Sequence, residues 1–356
     1  MQREIDEGRL PGAQIALAKD GEVVHVEAFG DATIDDRFVI FSATKPIVAS
    51  TVWQLISEGL LDPAATVASV FPEFGENGKD AITLEQVMLH TSGFPAAPMG
   101  APHILTREGR ITKMAQWRLN WEPGKKFEYH PTSAHWVLAE LIERVTGTDY
   151  RTVIRERVLD PLGLDRLEIG VAPERQGDIK DLVLTMSEPT PEEIKAVLGI
   201  DAFPITEVTD DALMGFNQAE TRAIGVPGGG GVSDASSLAL FYQGLLHDPK
   251  GLWDPALLKD VKTNVRNTFP DYLGTPANRT LGLVQAGDDG KSNLRGMGRT
   301  VSPGTFGHNG AAGQIAWADP ATGLSFVFLT NGIDRHMFHQ ARRGTALSSI
   351  AATCVG

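Results

Sequence analysis

Strand-forming runs lie at the two ends of this chain and helix-forming runs fill the stretch between, an arrangement that admits few folds. Ala13 to Leu17 and Val23 to Phe29 read as two strands, joined at Lys19-Asp20-Gly21, where Asp-Gly is a hairpin signal. Helical spacing then takes over: Val48, Val52 and Ile56, with Leu55 beside them, predict a helix that ends near Gly59. Thr83-Leu84-Glu85-Gln86 is a capping box opening a helix through Leu89. Residues 95–120 show no clear period and read as loop with some helix. Ser133 to Val145 predicts a helix with Gly147 as its C-cap, and further helices are expected over about 149–158 and from Thr190-Pro191 onward. The glycine run Gly228 to Gly231 breaks the pattern, a helix over about 234–246 follows, and strands are expected at Thr280 to Gln285, Gly313 to Ala318 and Leu324 to Leu329. The last two flank a turn at Asp319-Pro320-Ala321-Thr322-Gly323 and should pair antiparallel. A final helix is expected over about 335–353. The simplest assembly is an α/β fold: one antiparallel sheet built from both chain ends and flanked by helices (1–58 and 223–356), with a mainly helical domain (59–222) inserted between them.

Length and charge bound the function. At 356 residues the chain fits about two domains of roughly 150 residues each. A net charge of −13 argues against nucleic acid or an anionic membrane as partner. No apolar run approaches membrane-spanning length. The start, Met1-Gln2-Arg3-Glu4-Ile5-Asp6-Glu7, has no apolar core of a signal peptide, and the single Cys354 can form no internal disulfide, so the cytoplasm is the expected compartment. The glycine run lacks the Gly-Lys-Ser/Thr of a phosphate loop, and His336 and His339 have no evident third ligand, so neither cofactor nor metal is expected.

Chemistry concentrates at Ser42-Ala43-Thr44-Lys45-Pro46, the only place where a lysine follows a serine by three residues. That spacing puts both side chains on one face at a helix start. A serine hydroxyl is a weak nucleophile until a base takes its proton, and a lysine whose pKa is lowered by burial can do so. The helix N-terminus adds backbone donors where an oxyanion would form. Alone, so short a pattern also describes a helix cap beside a solvated charge. Its companions change the balance: Leu89-His90-Thr91-Ser92-Gly93, Pro123-Gly124 followed by Tyr129 and a long helix, and Gly307-His308-Asn309-Gly310.

In order and spacing these four places resemble the serine β-lactamase/penicillin-binding-protein superfamily, closest to the branch holding class C β-lactamases, D-alanyl-D-alanine peptidases and family VIII carboxylesterases. The resemblance runs over nearly the whole chain. It implies Ser42 as nucleophile, with Lys45 and Tyr129 moving its proton. It implies a catalytic His308 on the strand beside the cleft, placed to steady the Tyr129 phenolate or, as the alternative, to orient a substrate carboxylate; Gly310 for close backbone approach; and an oxyanion hole from the N–H groups of Ser42 and Ala311. His130 and Asn309 are candidates for supporting roles. One departure stands out: the family often reads Tyr-x-Asn where this chain has Tyr129-His130-Pro131. A proline side chain cannot hydrogen-bond a substrate amide or the lysine, which argues against efficient β-lactam turnover; His130 either takes part of that role or is a surface or supporting histidine. Trp117, Trp121 and Trp136 are expected to pack the helical domain, one or two of them lining an acyl or alcohol pocket. The leading expectation is hydrolysis of small carboxylic esters or lactones through an acyl-enzyme on Ser42, with acyl transfer to other alcohols or amines as an extension. The alternatives are a D-amino-acid peptidase or amidase, a weak β-lactamase, and a non-catalytic binding protein on the same fold.

Overall fold

The computed structural model describes residues 1–201 and 208–354. Its main sheet has six strands in the order Glu22–Gly30, Gly12–Lys19, Leu324–Thr330, Ile315–Asp319, Phe306–Gly307, Val284–Gln285, and all neighbours run antiparallel. The two chain ends therefore meet in the middle of the sheet, where Ala13 faces Thr330 and Lys19 faces Leu324. The hairpin that starts the chain turns through Asp20 (φ 53°) and Gly21 (φ 82°), the left-handed pair a tight two-residue turn needs. Leu324–Thr330 is buried along its whole length, whereas Glu22–Gly30 is a solvated edge carrying Glu22, His25 and Glu27. The helix Ala235–His247 covers one face of the sheet, and Gln243 ties it there by donating to the Ala18 carbonyl (2.8 Å) and the Ser325 hydroxyl (3.0 Å).

The helix Lys45–Ser57 runs through the centre of the molecule, and every residue from Lys45 to Leu55 is buried. Such a helix is buried all round because it has neighbours on all sides, its few polar side chains (Lys45, Ser50, Thr51 and Gln54) included. The Trp53 indole donates to Leu281 O (2.8 Å), and the Trp253 indole donates to Ser50 O (2.9 Å). The helix Ser133–Thr146 packs beside it and ends on Gly147 at φ 70°, as the sequence predicts. The capping boxes at Thr83/Gln86 and Thr190/Glu193 both form.

Three differences from expectation have local causes. The strand expected over Thr280 to Gln285 shrinks to Val284–Gln285, because Gly282 (φ 105°) turns the chain against Ala49 and Trp53. The strand expected from Gly313 starts at Ile315, because Ala312 (φ 60°) and Gly313 (φ 90°) form a turn first. The aperiodic stretch contains the helix Arg107–Gln116, whose surface position leaves only Met114 buried and so blurs its apolar stripe. Beyond the sheet, Gly231–Ser233 pairs with both Phe38–Val39 and Glu168–Ile169, which fixes the chain just before Ser42.

Candidate active site

The segment around Ser42 is held in an unusual backbone shape. After Ile40 N–H bonds to Gly231 O (2.9 Å), Phe41 adopts φ 45°, a left-handed conformation costly for an aromatic residue, by about 1–3 kcal/mol. Burial holds it there: Phe41 is buried and meets the Phe216 ring edge-on at 5.5 Å. A single 3₁₀ turn, Phe41–Thr44, follows and carries Ser42; the α-helix proper begins at Lys45 with Pro46 in its first turn. Ser42 thus sits one turn before the helix, not in it. The Thr44 hydroxyl locks the turn by donating to Phe41 O (2.6 Å) and accepting from Gly231 N–H (2.9 Å).

Lys45 is 1% exposed, and among the described residues it forms no ion pair with a carboxylate. Its amine nitrogen lies 3.0 Å from Ser42 Oγ, 2.7 Å from Pro131 O and 2.6 Å from Gly228 O. Burial, aided by the nearby Arg279 cation, pulls its pKa well below the ordinary lysine value. The amine N–H groups donate to the two carbonyls and to the serine oxygen; once the amine is neutral, its lone pair can instead accept from the serine hydroxyl. Gly228 is required for this convergence, since a Cβ there would press on Pro131 O at 2.8 Å. The proline that cannot offer a side-chain amide therefore still bonds the lysine, through its backbone carbonyl.

Tyr129 is positioned by its neighbours in sequence. Glu128 N–H donates to His90 O (3.3 Å) and His130 N–H donates to His90 Nδ1 (3.1 Å). The His130 ring is fully buried; its Nδ1 donates to Glu128 O (2.6 Å), while Nε2 accepts from Phe94 N–H (3.2 Å) and the Ser92 hydroxyl (3.1 Å). His130 is thus a clamp on the 92–94 loop, turned away from Lys45, and does not stand in for the missing asparagine. Tyr129 lies between the two clamped residues. Its ring packs 4.8 Å from His90, the Lys45 nitrogen sits 5.0 Å over it, and the Arg279 guanidinium sits 5.1 Å over it. Burial pushes the phenol up to about 12, opposed by Arg279 and by the Ser42 hydroxyl.

His308 is buried, with its ring 5.9 Å from that of Tyr129. Its Nδ1 lies 2.8 Å from Asn309 O and its Nε2 lies 3.3 Å from Arg279 Nη1. Both partners dictate the tautomer: Nδ1 donates and Nε2 accepts. No imidazole N–H is left for Tyr129. Burial, then the Arg279 cation, drives the pKa of the ring well below the usual range. Asn309 is likewise committed, donating to Gly296 O and accepting from Ala316 N–H (3.2 Å). Gly310 meets Ile40 O so closely that a Cβ has no room, and this contact brings the Ala311 turn against the Ser42 turn. Among the described residues, neither Ser42 N–H nor Ala311 N–H has a hydrogen-bond partner.

The structure therefore gathers Ser42, Lys45, Tyr129, His308, Gly310 and Ala311 in one place. It adds Arg279, which sequence reasoning missed, along with His90 and His135. Arg279 belongs to no motif; its backbone is placed by pairing with Asn267. His135 is buried, its ring nitrogens have no hydrogen-bond partner among the described residues, and burial drives its pKa well below the usual range. A larger groove of about 470 Å³, lined by Asn120, Trp121 and Glu122 among others, contains none of these groups. Trp117 and Trp136 are buried, as expected of packing residues, and Trp121 stands at the edge of that groove.

This fold is that of the β-lactamase/penicillin-binding-protein family. The sequence model of the Beta-lactamase family matches residues 1–349, and the chain belongs to that family. It is similar to the esterase/beta-lactamase LipL of Mycobacterium tuberculosis, at 30% identity over 91% of this chain and 77% of that one. Among solved structures it resembles a penicillin-binding protein homolog from Caulobacter crescentus (TM-score 0.77, 26% identity, 98% and 95% of the two chains covered). It shares its fold with a family VIII carboxylesterase (TM-score 0.76, 21% identity, 97% and 95% covered).

Proposed function

We propose that this protein is a serine hydrolase that cleaves small carboxylic esters or lactones through an acyl-enzyme on Ser42. The observation that carries the reading is the Lys45 amine, buried with no carboxylate partner among the described residues and 3.0 Å from Ser42 Oγ. Held neutral, it accepts the serine proton as Ser42 attacks the carbonyl. Tyr129, protonated because its pKa stands at about 12, hands a proton to the leaving alkoxide and recovers it through Lys45. The oxyanion is received by the free N–H groups of Ser42 and Ala311. Water then repeats the sequence to release the acid; another alcohol or amine in its place makes the same enzyme an acyltransferase. The reaction takes place in a cleft between the sheet portion (1–58 and 223–356) and the helical portion (59–222), in the cytoplasm, on a small molecule and with no cofactor. The similarity to an esterase/beta-lactamase supports this reading.

A panel of short 4-nitrophenyl esters set against D-alanyl-D-alanine peptides tests the choice of substrate. Ester turnover well above peptide turnover is expected. The reverse makes the protein a D-amino-acid peptidase or amidase, and turnover of neither, with no fluorophosphonate labelling, makes it a binding protein.

A further inference from the structure

Gln314 is fully buried where three segments of the molecule meet behind the proposed site. Its side-chain amide nitrogen donates to Val39 O (3.1 Å) and to Thr330 O (2.7 Å), and its amide oxygen accepts from Thr330 N–H (2.9 Å). Its backbone closes the turn that carries Ala311: Gly310 N–H donates to Gln314 O (3.0 Å), and Gln314 N–H donates to Ala311 O (3.4 Å). Val39 belongs to the short strand that leads into the Ser42 turn. Thr330 ends the buried strand Leu324–Thr330, where its hydroxyl donates to Gly12 O (2.6 Å). One side chain therefore ties the nucleophile segment and the Ala311 turn to each other and to the sheet.

The two segments it joins are those that carry the proposed oxyanion donors, Ser42 N–H and Ala311 N–H. They press together at Gly310, where a Cβ would collide with Ile40 O and meet the Gln314 side chain at 3.0 Å. That contact limits how near the segments can come, and the Gln314 amide limits how far apart they can move. Neither segment is at rest by itself. Phe41 (φ 45°) and Ala312 (φ 60°) both hold left-handed backbone, which persists only where the surroundings over-determine it. Space-filling alone does not account for the residue, since methionine has nearly the same shape and no amide to desolvate. What the amide adds is direction: three bonds that fix the positions of the segments they join.

We propose that Gln314 is a positioning residue that sets the separation of the two oxyanion donors, so that Ser42 N–H and Ala311 N–H converge on one developing oxyanion. The proposal rests on the serine-hydrolase reading. Such donors act through pre-set geometry, and a misplacement of about 1 Å can cost roughly 10²-fold in rate.

Gln314→Met keeps the shape and removes all three side-chain bonds. Turnover of 4-nitrophenyl acetate is measured per active site, counted at the end point of fluorophosphonate labelling, so that unfolded protein does not enter. The expected result is a kcat lower by about 10- to 100-fold, short of the roughly 10²–10³ for outright loss of a donor, with KM changed by less than about threefold. The inhibition constant of phenylboronic acid, whose tetrahedral adduct on Ser42 places an oxygen between the same donors, should rise by a similar factor. The rising limb of the pH profile, which belongs to Lys45, should stay where it is. Gln314→Asn keeps the amide but is one methylene too short to reach both Val39 and Thr330, and it decides the matter by the same readouts where the methionine variant does not fold. A per-site kcat within about threefold of wild type, a loss confined to KM, or a loss of kcat with unchanged boronate inhibition overturns the proposal. In each of those cases, ester turnover and labelling of Ser42 in the wild type leave the hydrolase reading standing. A wild-type protein that turns over no ester and takes no fluorophosphonate removes both.

Discussion

Replacing Lys45 tests whether the buried amine acts as a base or merely as a positive charge. Lys45→Arg keeps a cation and hydrogen-bond donors but cannot release a proton near neutral pH. Lys45→Met keeps the apolar stem and removes both functions. Loss of general-base catalysis costs roughly 10²–10⁴ in rate, or about 3–5 kcal/mol in the barrier. Both variants should therefore lose kcat/KM on 4-nitrophenyl acetate by that amount. The structure also bounds the cost to stability. Lys45→Met strands the carbonyls of Pro131 and Gly228, each worth about 1–3 kcal/mol when buried and unpaired. Against this stands the relief of no longer burying a group that water would charge, so the net change is expected to be about 2 kcal/mol or less. The pH profile supplies the sign. Because the folded Lys45 pKa is depressed, the neutral base is present above that lowered value, and activity should rise with pH through it, well below the ordinary lysine value of about 10.4. Removing Arg279 takes away a repelling cation and should move that rising limb to higher pH. The assay is initial-rate hydrolysis from pH 5 to 10, with thermal unfolding alongside. Lys45→Arg within fivefold of wild type, or a rising limb that moves to lower pH in Arg279→Gln, would refute the assignment of Lys45 as base.

Tyr129→Phe keeps the ring packed between His90 and Arg279 and removes only the proton shuttle, so kcat should fall by roughly 10²–10⁴ with an unchanged melting temperature; combined with Lys45→Met the loss should be far less than multiplicative. Gly310→Ala forces the chain off Ile40 O, opens the gap between the Ala311 and Ser42 turns, and should cut kcat by about 10²–10³, as loss of one oxyanion donor does, with KM little changed. With Pro131 in place of an amide side chain, a chromogenic cephalosporin should be hydrolysed far more slowly than a short ester, as steady-state rates on the two will show.

The parts of the fold that were legible in the sequence are those written in local chemistry. The Asp20-Gly21 hairpin, the Thr83 capping box and the Gly147 cap each depend on residues within one turn of one another, and each forms as read. The Ser42–Lys45 contact is of the same kind: a three-residue spacing across one turn fixes it. Tyr129 and His308 came from the order of motifs and not from any local signal. What stayed hidden depends on distant segments meeting. Nothing near Arg279 in sequence marks it; its meaning arises because residues 267 and 279 pair and lay the guanidinium over Phe127 and Tyr129. Of the two readings left open for His130, its contacts fit the supporting one: the chain alternates its side chains, and its neighbour Tyr129 takes the side that faces Lys45. The Pro131 carbonyl was overlooked because side-chain identity says nothing about where a backbone oxygen points.

The central claim is that Ser42 carries the acyl group. Mass spectrometry of the protein quenched during turnover of an activated ester, followed by peptide mapping, tests it directly. The account predicts an acyl adduct on the peptide containing Ser42, absent from Ser42→Ala, which should also lose turnover. An adduct on another residue, or full turnover by Ser42→Ala, contradicts it.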